Sequence, residues 1–445
     1  MRFTGFWTGI FGAAALGSIA SLGCGESFTL SPTATAASGS GGSASSSGGS
    51  GGAGGTAVTT SSVGGAGGMA GGGGNPATTV VSSSIGAGGA GGGGASGAGG
   101  AGGGGSLPTC PGQAVNCVNQ WLKPSAGLKK ISAIDVAKGS LWVLANSAVY
   151  KIELTASMPT PVLVAGSPGT AGTTDNLKGT DARFGSLEGL AVDALTEVAY
   201  VADSGNCLVR TVDLGADKGY AVKTLSGAAG SCTSTDSTTA ATVRWKKLMG
   251  LALDMPSGST HQLLYAIDEH RVRSLDLATK GTAAVAGQMP PGGFADQDAG
   301  FKSKFNGPEF LRAAPTMLMV ADAGNQRLRR IDLTSNNAVK THCGKDKGFV
   351  DGTCPEGVKF NLPSAFAIGL PTPTAYVADT DNHAVRKLSD LKVTEFLGGK
   401  DGTVVGVGTA GLIKKPTAVA VAKVGGVQTL FVVEDAKAIR RVPLE

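Results

Sequence analysis

Charge is missing from a long stretch of this 445-residue chain: between Ser27 and Leu122 there is no Asp, Glu, Lys or Arg. Gly, Ser, Ala and Thr dominate there instead. Such a segment cannot bury enough apolar surface to offset its ordering entropy, so residues 25–107 are expected to form a disordered tether. Aromatic residues are also few, at 5%, and histidines number four. No CxxC pair or Cys/His spacing suggests zinc. In the charged region there is no HExxH, no phosphate loop and no nucleophile elbow. The net charge of +5 is spread thinly, without a basic block or aromatic–basic interleaving, which argues against nucleic acid as a partner.

What is present begins with one apolar run, Phe6 to Leu22, behind a single positive charge at Arg2. This is the pattern of an export signal over residues 1–24. Leu22-Gly23-Cys24 resembles the end of a bacterial lipoprotein signal, although Ser21 stands where Leu is usual. The resemblance implies lipidation of Cys24, and Gly25 after it implies sorting toward the outer membrane or cell surface. An ordinary cleaved signal and an uncleaved anchor are the alternatives. The six remaining cysteines form an even set, as disulfides in an exported chain require. Sequence proximity favours Cys110–Cys117, Cys207–Cys232 and Cys343–Cys354.

Beyond residue 107 the chain repeats itself. YVADSGNCLVRTV at Tyr200–Val212 recurs as MVADAGNQRLRRI at Met319–Ile331 and as YVADTDNHAVRKL at Tyr376–Leu388. A shortened copy, YAIDEHRVRSL, runs from Tyr265 to Leu275. Repetition at roughly 60 residues is the mark of a modular architecture. A second pattern lies in phase with the first: Asp296, Phe305 and Pro308 match Asp351, Phe360 and Pro363. Asp175/Phe184/Leu187, Asp236/Trp245/Leu248 and, weakly, Val404/Ile413/Pro416 keep the same spacing.

Each unit then reads as four short strands separated by Gly, Asp and Asn turns, which is a propeller blade. Six second strands are recognisable: Leu141–Leu144, Ala199–Ala202, Leu264–Ile267, Leu318–Ala321, Ala375–Ala378 and Leu430–Val433. The sequence therefore predicts an all-β, six-bladed β-propeller of four-stranded antiparallel blades over 108–445. The last unit lacks its fourth strand, and an open edge leaves backbone groups unpaired. Gln113–Leu122, which has no repeat partner, is expected to supply it.

VADxxNxxVRxxD with an upstream Asp…Phe…Pro resembles the NHL repeat. Agreement is best at Asp203/Asn206/Arg210, Asp322/Asn325/Arg329 and Asp379/Asn382/Arg386. It departs at Asp268–Arg273, where the turn is shorter, and at Ala145 and Glu434, where the Asp is replaced. The resemblance implies a propeller that binds proteins, RNA or glycans; a minority of its relatives are lyases or related enzymes.

The repeated Asp and Arg are best read as glue within blades, because an Asp ending a strand can accept from turn amides and an Arg can pair with it. Asn or Gly is expected to hold the left-handed turn position. Phe184, Trp245, Phe305 and Phe360 read as wedges between blades. Asp135, Asp193 and Asp254, which end first strands, read as turn acceptors more than as a metal ring. Second-to-third turns and interblade loops emerge on one face, placing Glu269, His270, Asp296, Asp298, Asp381 and His383 together as a candidate binding surface. Asp296 and Asp298 have calcium-like spacing, but the rest of a calcium loop is missing.

The expected function is a tethered, monomeric, non-catalytic module for a surface protein or glycan, attached to the membrane through its lipid and needing no cofactor. A structural envelope lipoprotein without a specific ligand is one alternative, and a propeller lyase or lactonase is another.

Overall fold

Alternating apolar and polar residues punctuated by turn formers build an all-β molecule, seen in a computed structural model that describes residues 117–444 except 124–126, 256–259, 370–372 and 404–405. Cys24, Cys110 and the 25–107 segment lie outside the described residues, as does the Cys117 side chain.

Six four-stranded antiparallel blades follow in chain order, two of them carrying a short fifth strand. Their inner strands are Ile131–Ala137, Leu187–Asp193, Leu248–Leu253, Phe310–Ala314, Pro363–Gly369 and Pro416–Val424. Neighbouring inner strands pack against each other around the ring, with the sixth returning to the first. Six hydrophobic clusters fill the gaps between blades. Within each blade the inner strand leads to a second, third and outer strand. The second-to-third turns and the interblade loops therefore share one end of the central channel, the loop face. The other two turns of each blade form the opposite face.

The missing strand comes from the N-terminal side. Cys117–Leu122 pairs antiparallel with the last strand, Ala438–Pro443, through Asn119–Arg441, Gln120–Arg440 and Leu122–Ile439. Trp121 anchors it: its ring meets Phe431 edge-on at 5.0 Å, and its Nε1–H donates to the Ala156 carbonyl at 3.0 Å. The sixth blade is thus assembled from both ends of the described chain.

Phe184, Trp245, Phe305 and Phe360 are wholly buried, each inside a cluster shared by two consecutive blades. The glycines of the inner strands have a similar packing origin. A Cβ on Gly189 would lie 2.0 Å from the Met249 carbonyl oxygen, so only Gly lets these two inner strands approach.

The disulfides Cys207–Cys232 and Cys343–Cys354 are present, with Cα separations of 5.4 and 4.7 Å. Each ties an interblade loop back to the blade that precedes it.

Closure can be tested with Trp121→Ala. It should destabilise the propeller by about 3–5 kcal/mol through lost burial. Deleting 117–122 should abolish the cooperative transition seen by circular dichroism in urea.

Candidate functional site

The repeated polar residues come first, because they decide which groups remain for function. Asp203 ends the second strand of blade 2 and is fully buried. Its Oδ1 accepts from the Gly185 amide at 2.8 Å, and its Oδ2 from Asn206 Nδ2 at 2.8 Å and Arg210 Nη1 at 3.1 Å. Arg210 reaches on to Asp175 Oδ1 at 2.5 Å and to the Thr174 and Arg183 carbonyls. Asp175 in turn accepts from the Thr224 amide of the outer strand. One clamp therefore holds the incoming loop and the blade's strands together.

Blade 4 repeats this with Asp322, Asn325, Arg329 and Asp296, and blade 5 with Asp379, Asn382, Arg386 and Asp351. The guanidinium groups lie over the wedge rings, 4.2 Å from the Trp245 centroid for Arg273 and 5.0 Å from Phe184 for Arg210. Arg329 and Arg386 also lie near a second ring, Phe294 at 4.8 Å and Phe349 at 4.5 Å. Burial raises the Asp203 and Asp322 carboxyls and pushes Asp379 up to about 6, against the lowering pull of their arginines.

The turn differs in one respect from expectation. The left-handed residue is neither Asn nor Gly but the next one: Cys207, Gln326 and His383, with φ of 59°, 60° and 53°. The Asn instead turns its amide onto a loop carbonyl, Gly172 for Asn206, Gly293 for Asn325 and Gly348 for Asn382.

All six loop-face candidates are engaged, and Asp298 does not reach that face: its neighbour Gln297 pairs with Val339 near the start of the outer strand of blade 4, and the Gly300 amide donates to Asn336 in the third-to-fourth turn. His383 Nδ1 accepts from the Lys415 amide at 3.2 Å, in the loop that opens the next blade. His270 Nδ1 does the same for the Gly307 amide at 3.1 Å, and Gln326 Oε1 for the Leu362 amide at 2.7 Å. These side chains are latches between blades. Asp296 belongs to the Arg329 clamp, Glu269 pairs with Lys246, Asp381 with Lys415, and the exposed Asp298 with Lys340.

The centre of the same face holds a group of residues that the repeats conceal. One position after the repeated Leu or Pro, or after Ile131 in blade 1, the inner strands or the residue just before them carry Ser132, Glu188, Met249, Glu309, Ser364 and Thr417. All six line a cavity of about 280 Å³ at the loop-face mouth of the channel. Glu188 accepts from Ser186 Oγ at 2.8 Å, and Ser364 exchanges a hydrogen bond with Thr380 at 2.7 Å. Thr417 Oγ1 is buried without a hydrogen-bond partner among the described residues. Burial pushes the Glu309 carboxyl up to about 7; Lys247 opposes this, and Glu188 and Asp381 add to it. The spacing that revealed Leu187, Leu248, Pro308, Pro363 and Pro416 would have located this ring one residue further on.

At the opposite end Asp193 and Asp254 are turn acceptors, for Leu195 and Thr196 and for Gln262 respectively. Asp135 is not. Its Oδ2 reaches across to the Val192 amide of blade 2 at 2.9 Å, while Oδ1 accepts from Val136.

No family model matches the chain, and no curated protein matches it in sequence. Solved structures match in fold. An auxiliary nutrient binding protein of Bacteroides ovatus is 14% identical, with 75% of this chain and 78% of that one covered at a TM-score of 0.52. A nidogen/laminin complex is 11% identical over 68% and 92% of the two chains at a TM-score of 0.43. A streptogramin B lyase is 9% identical over 74% and 87% at 0.40. At 14% identity the likeness to the Bacteroides ovatus protein shows the fold alone, so function must be argued from the site.

Glu309 offers a direct test. A carboxyl raised from 4.5 to about 7 contributes stability that is complete below the lower value and lost as pH rises through the upper. Glu309→Gln should therefore match the parent in urea unfolding at about pH 4.5 and exceed it by about 1–3 kcal/mol at about pH 9.

Proposed function

We propose that this chain is a cell-envelope-tethered propeller of the NHL-like kind, acting as a non-catalytic module that takes a surface protein or glycan on its loop face. The observation that carries this reading is the ring of Ser132, Glu188, Met249, Glu309, Ser364 and Thr417. At one register position, six blades of a repeating framework present carboxylates, hydroxyls and a thioether to a single cavity. Repeated polar groups are spent inside the blades, whereas these vary from blade to blade. Glu309, desolvated and without a hydrogen bond to its carboxylate among the described residues, is a group that a bound partner would satisfy.

The domain plan supports the same picture: an export signal over 1–24, a tether over 25–107 and a propeller over 108–445. Cys24 carries the lipid in this reading, and a tether with a reach of about 50 Å lets the propeller meet partners away from the membrane. The nutrient-binding name of the Bacteroides ovatus protein is in keeping with such a role.

Two experiments test it. Cys24→Ala should move the protein from the membrane to the soluble fraction of lysed cells; retention in the membrane would remove the anchor. Proximity labelling on intact cells should give a small, reproducible partner set that shrinks for the Glu188→Gln/Glu309→Gln variant. A diffuse set indifferent to that variant would defeat the binding reading.

A further inference from the structure

The far end of the channel carries a second irregularity, independent of the loop-face reading. Strand pairing fixes equivalent positions in the six inner strands: Asp135 lies opposite Trp142, Ala191 opposite Tyr200, Ala252 opposite Tyr265, Arg312 opposite Met319, Ala367 opposite Tyr376 and Ala420 opposite Phe431. Four blades place Ala there. Blades 1 and 4, which face each other across a six-membered ring, place Asp and Arg.

The two charges border one cavity of about 190 Å³, with Ala191 and Ala252 between them. Arg312 is exposed and makes no ion pair or hydrogen bond among the described residues. Asp135 is close enough to feel Arg312 electrostatically but is not in ion-pair contact with it. Its carboxylate has two amide donors and is still held above the usual carboxylate range, chiefly by burial. A desolvated acid and an unpaired guanidinium stand apart across a space cleared by alanines. The partly exposed Leu253 lends an apolar edge, while Leu190, Leu251 and Leu311 are buried in the interblade clusters, and His261 stands at the rim with its Nδ1 2.6 Å from the Asp254 carbonyl.

The geometry points to a binding site for a small zwitterion, an apolar α-amino acid, whose carboxylate meets Arg312 and whose ammonium meets Asp135. Arg offers the planar fork that matches a carboxylate, and Asp135 retains lone pairs beyond those used by Val136 and Val192. The cavity is smaller than sites for drug-sized ligands, which suits a single amino acid better than a chain. Ala191, Ala252 and the partly exposed Leu253 leave an apolar lining that suits an aliphatic side chain.

The full-length protein should be titrated calorimetrically with L-leucine, 4-methylpentanoate and isopentylamine, which share the apolar tail and differ in their charges. L-leucine should bind, with 4-methylpentanoate and isopentylamine each weaker by about tenfold or more. Arg312→Gln, at an exposed position, should weaken L-leucine by about tenfold or more. Asp135→Asn, which keeps an oxygen for the Val192 amide, should bring L-leucine and 4-methylpentanoate to equal affinity. The proposal is overturned if folded protein shows no heat with L-leucine up to about 10 mM. It is equally overturned if Arg312→Gln binds L-leucine unchanged, or if isopentylamine binds as well as L-leucine.

Discussion

The buried Asp–Arg clamp is the interaction on which the propeller depends. It joins an interblade loop, the end of a second strand and the start of a third in one hydrogen-bonded unit, with the guanidinium laid on the wedge ring that separates two blades. Taking both charges out of water is costly, and the raised carboxyls of Asp203, Asp322 and Asp379 show that burial outweighs the arginine's pull. Such a pair adds little net stability over an apolar replacement. What it contributes is definition, since breaking it strands a charge, even though the Nε of Arg210, Arg329 and Arg386 is left without a hydrogen-bond partner among the described residues. The aromatic wedge is then placed by the same arginine that closes the blade.

Departures from the clamp show what it was needed for. Blade 3 has a turn two residues shorter, yet Arg273 still reaches Asp268 at 2.8 Å and Asp236 at 2.6 Å. Blade 6 substitutes Glu434, which meets Arg440 Nε at 2.7 Å and accepts from the Lys414 amide. Blade 1 has Ala145 and Tyr150 where the others have the acid and the arginine, so it lacks the clamp altogether. It is held by ring closure instead: the Ile131 amide donates to Ala436 at 2.8 Å, and Trp121 of the closing strand reaches Ala156. The strand that completes blade 6 thus also steadies the one blade without a clamp.

Much of this was legible in the sequence. Two patterns repeating in phase fix where each blade begins, and period-two alternation within them fixes the strands, so the blade count, the wedges, the closing strand and two disulfides could be read directly. What could not be read depends on neighbours that only closure brings together. His270 and His383 look like free, unrepeated polar groups in the sequence, but the left-handed turn aims such side chains at the next blade's first amides. Asp296 looked like a possible ligand because its clamp partner, Arg329, lies 33 residues further along the chain. The turn itself misled in a simpler way: Asn is used for its amide, so the strained φ passes to whichever residue follows.

A ring built from repeats turns small irregularities into sites. When six inner strands present the same register position to one channel, any blade that departs from its neighbours exposes its difference at a common centre. At the loop-face mouth the position varies throughout and yields a mixed polar ring. At the far end it is Ala in four blades, and the two exceptions have opposite charge and stand three blades apart. An ordinary fold would let such residues collapse into an ion pair. Here the clamps and wedges fix the blade positions, and the intervening alanines offer nothing to bridge the space. The unspent electrostatic energy remains available to whatever fits between them, which is how a rigid scaffold preorganises recognition.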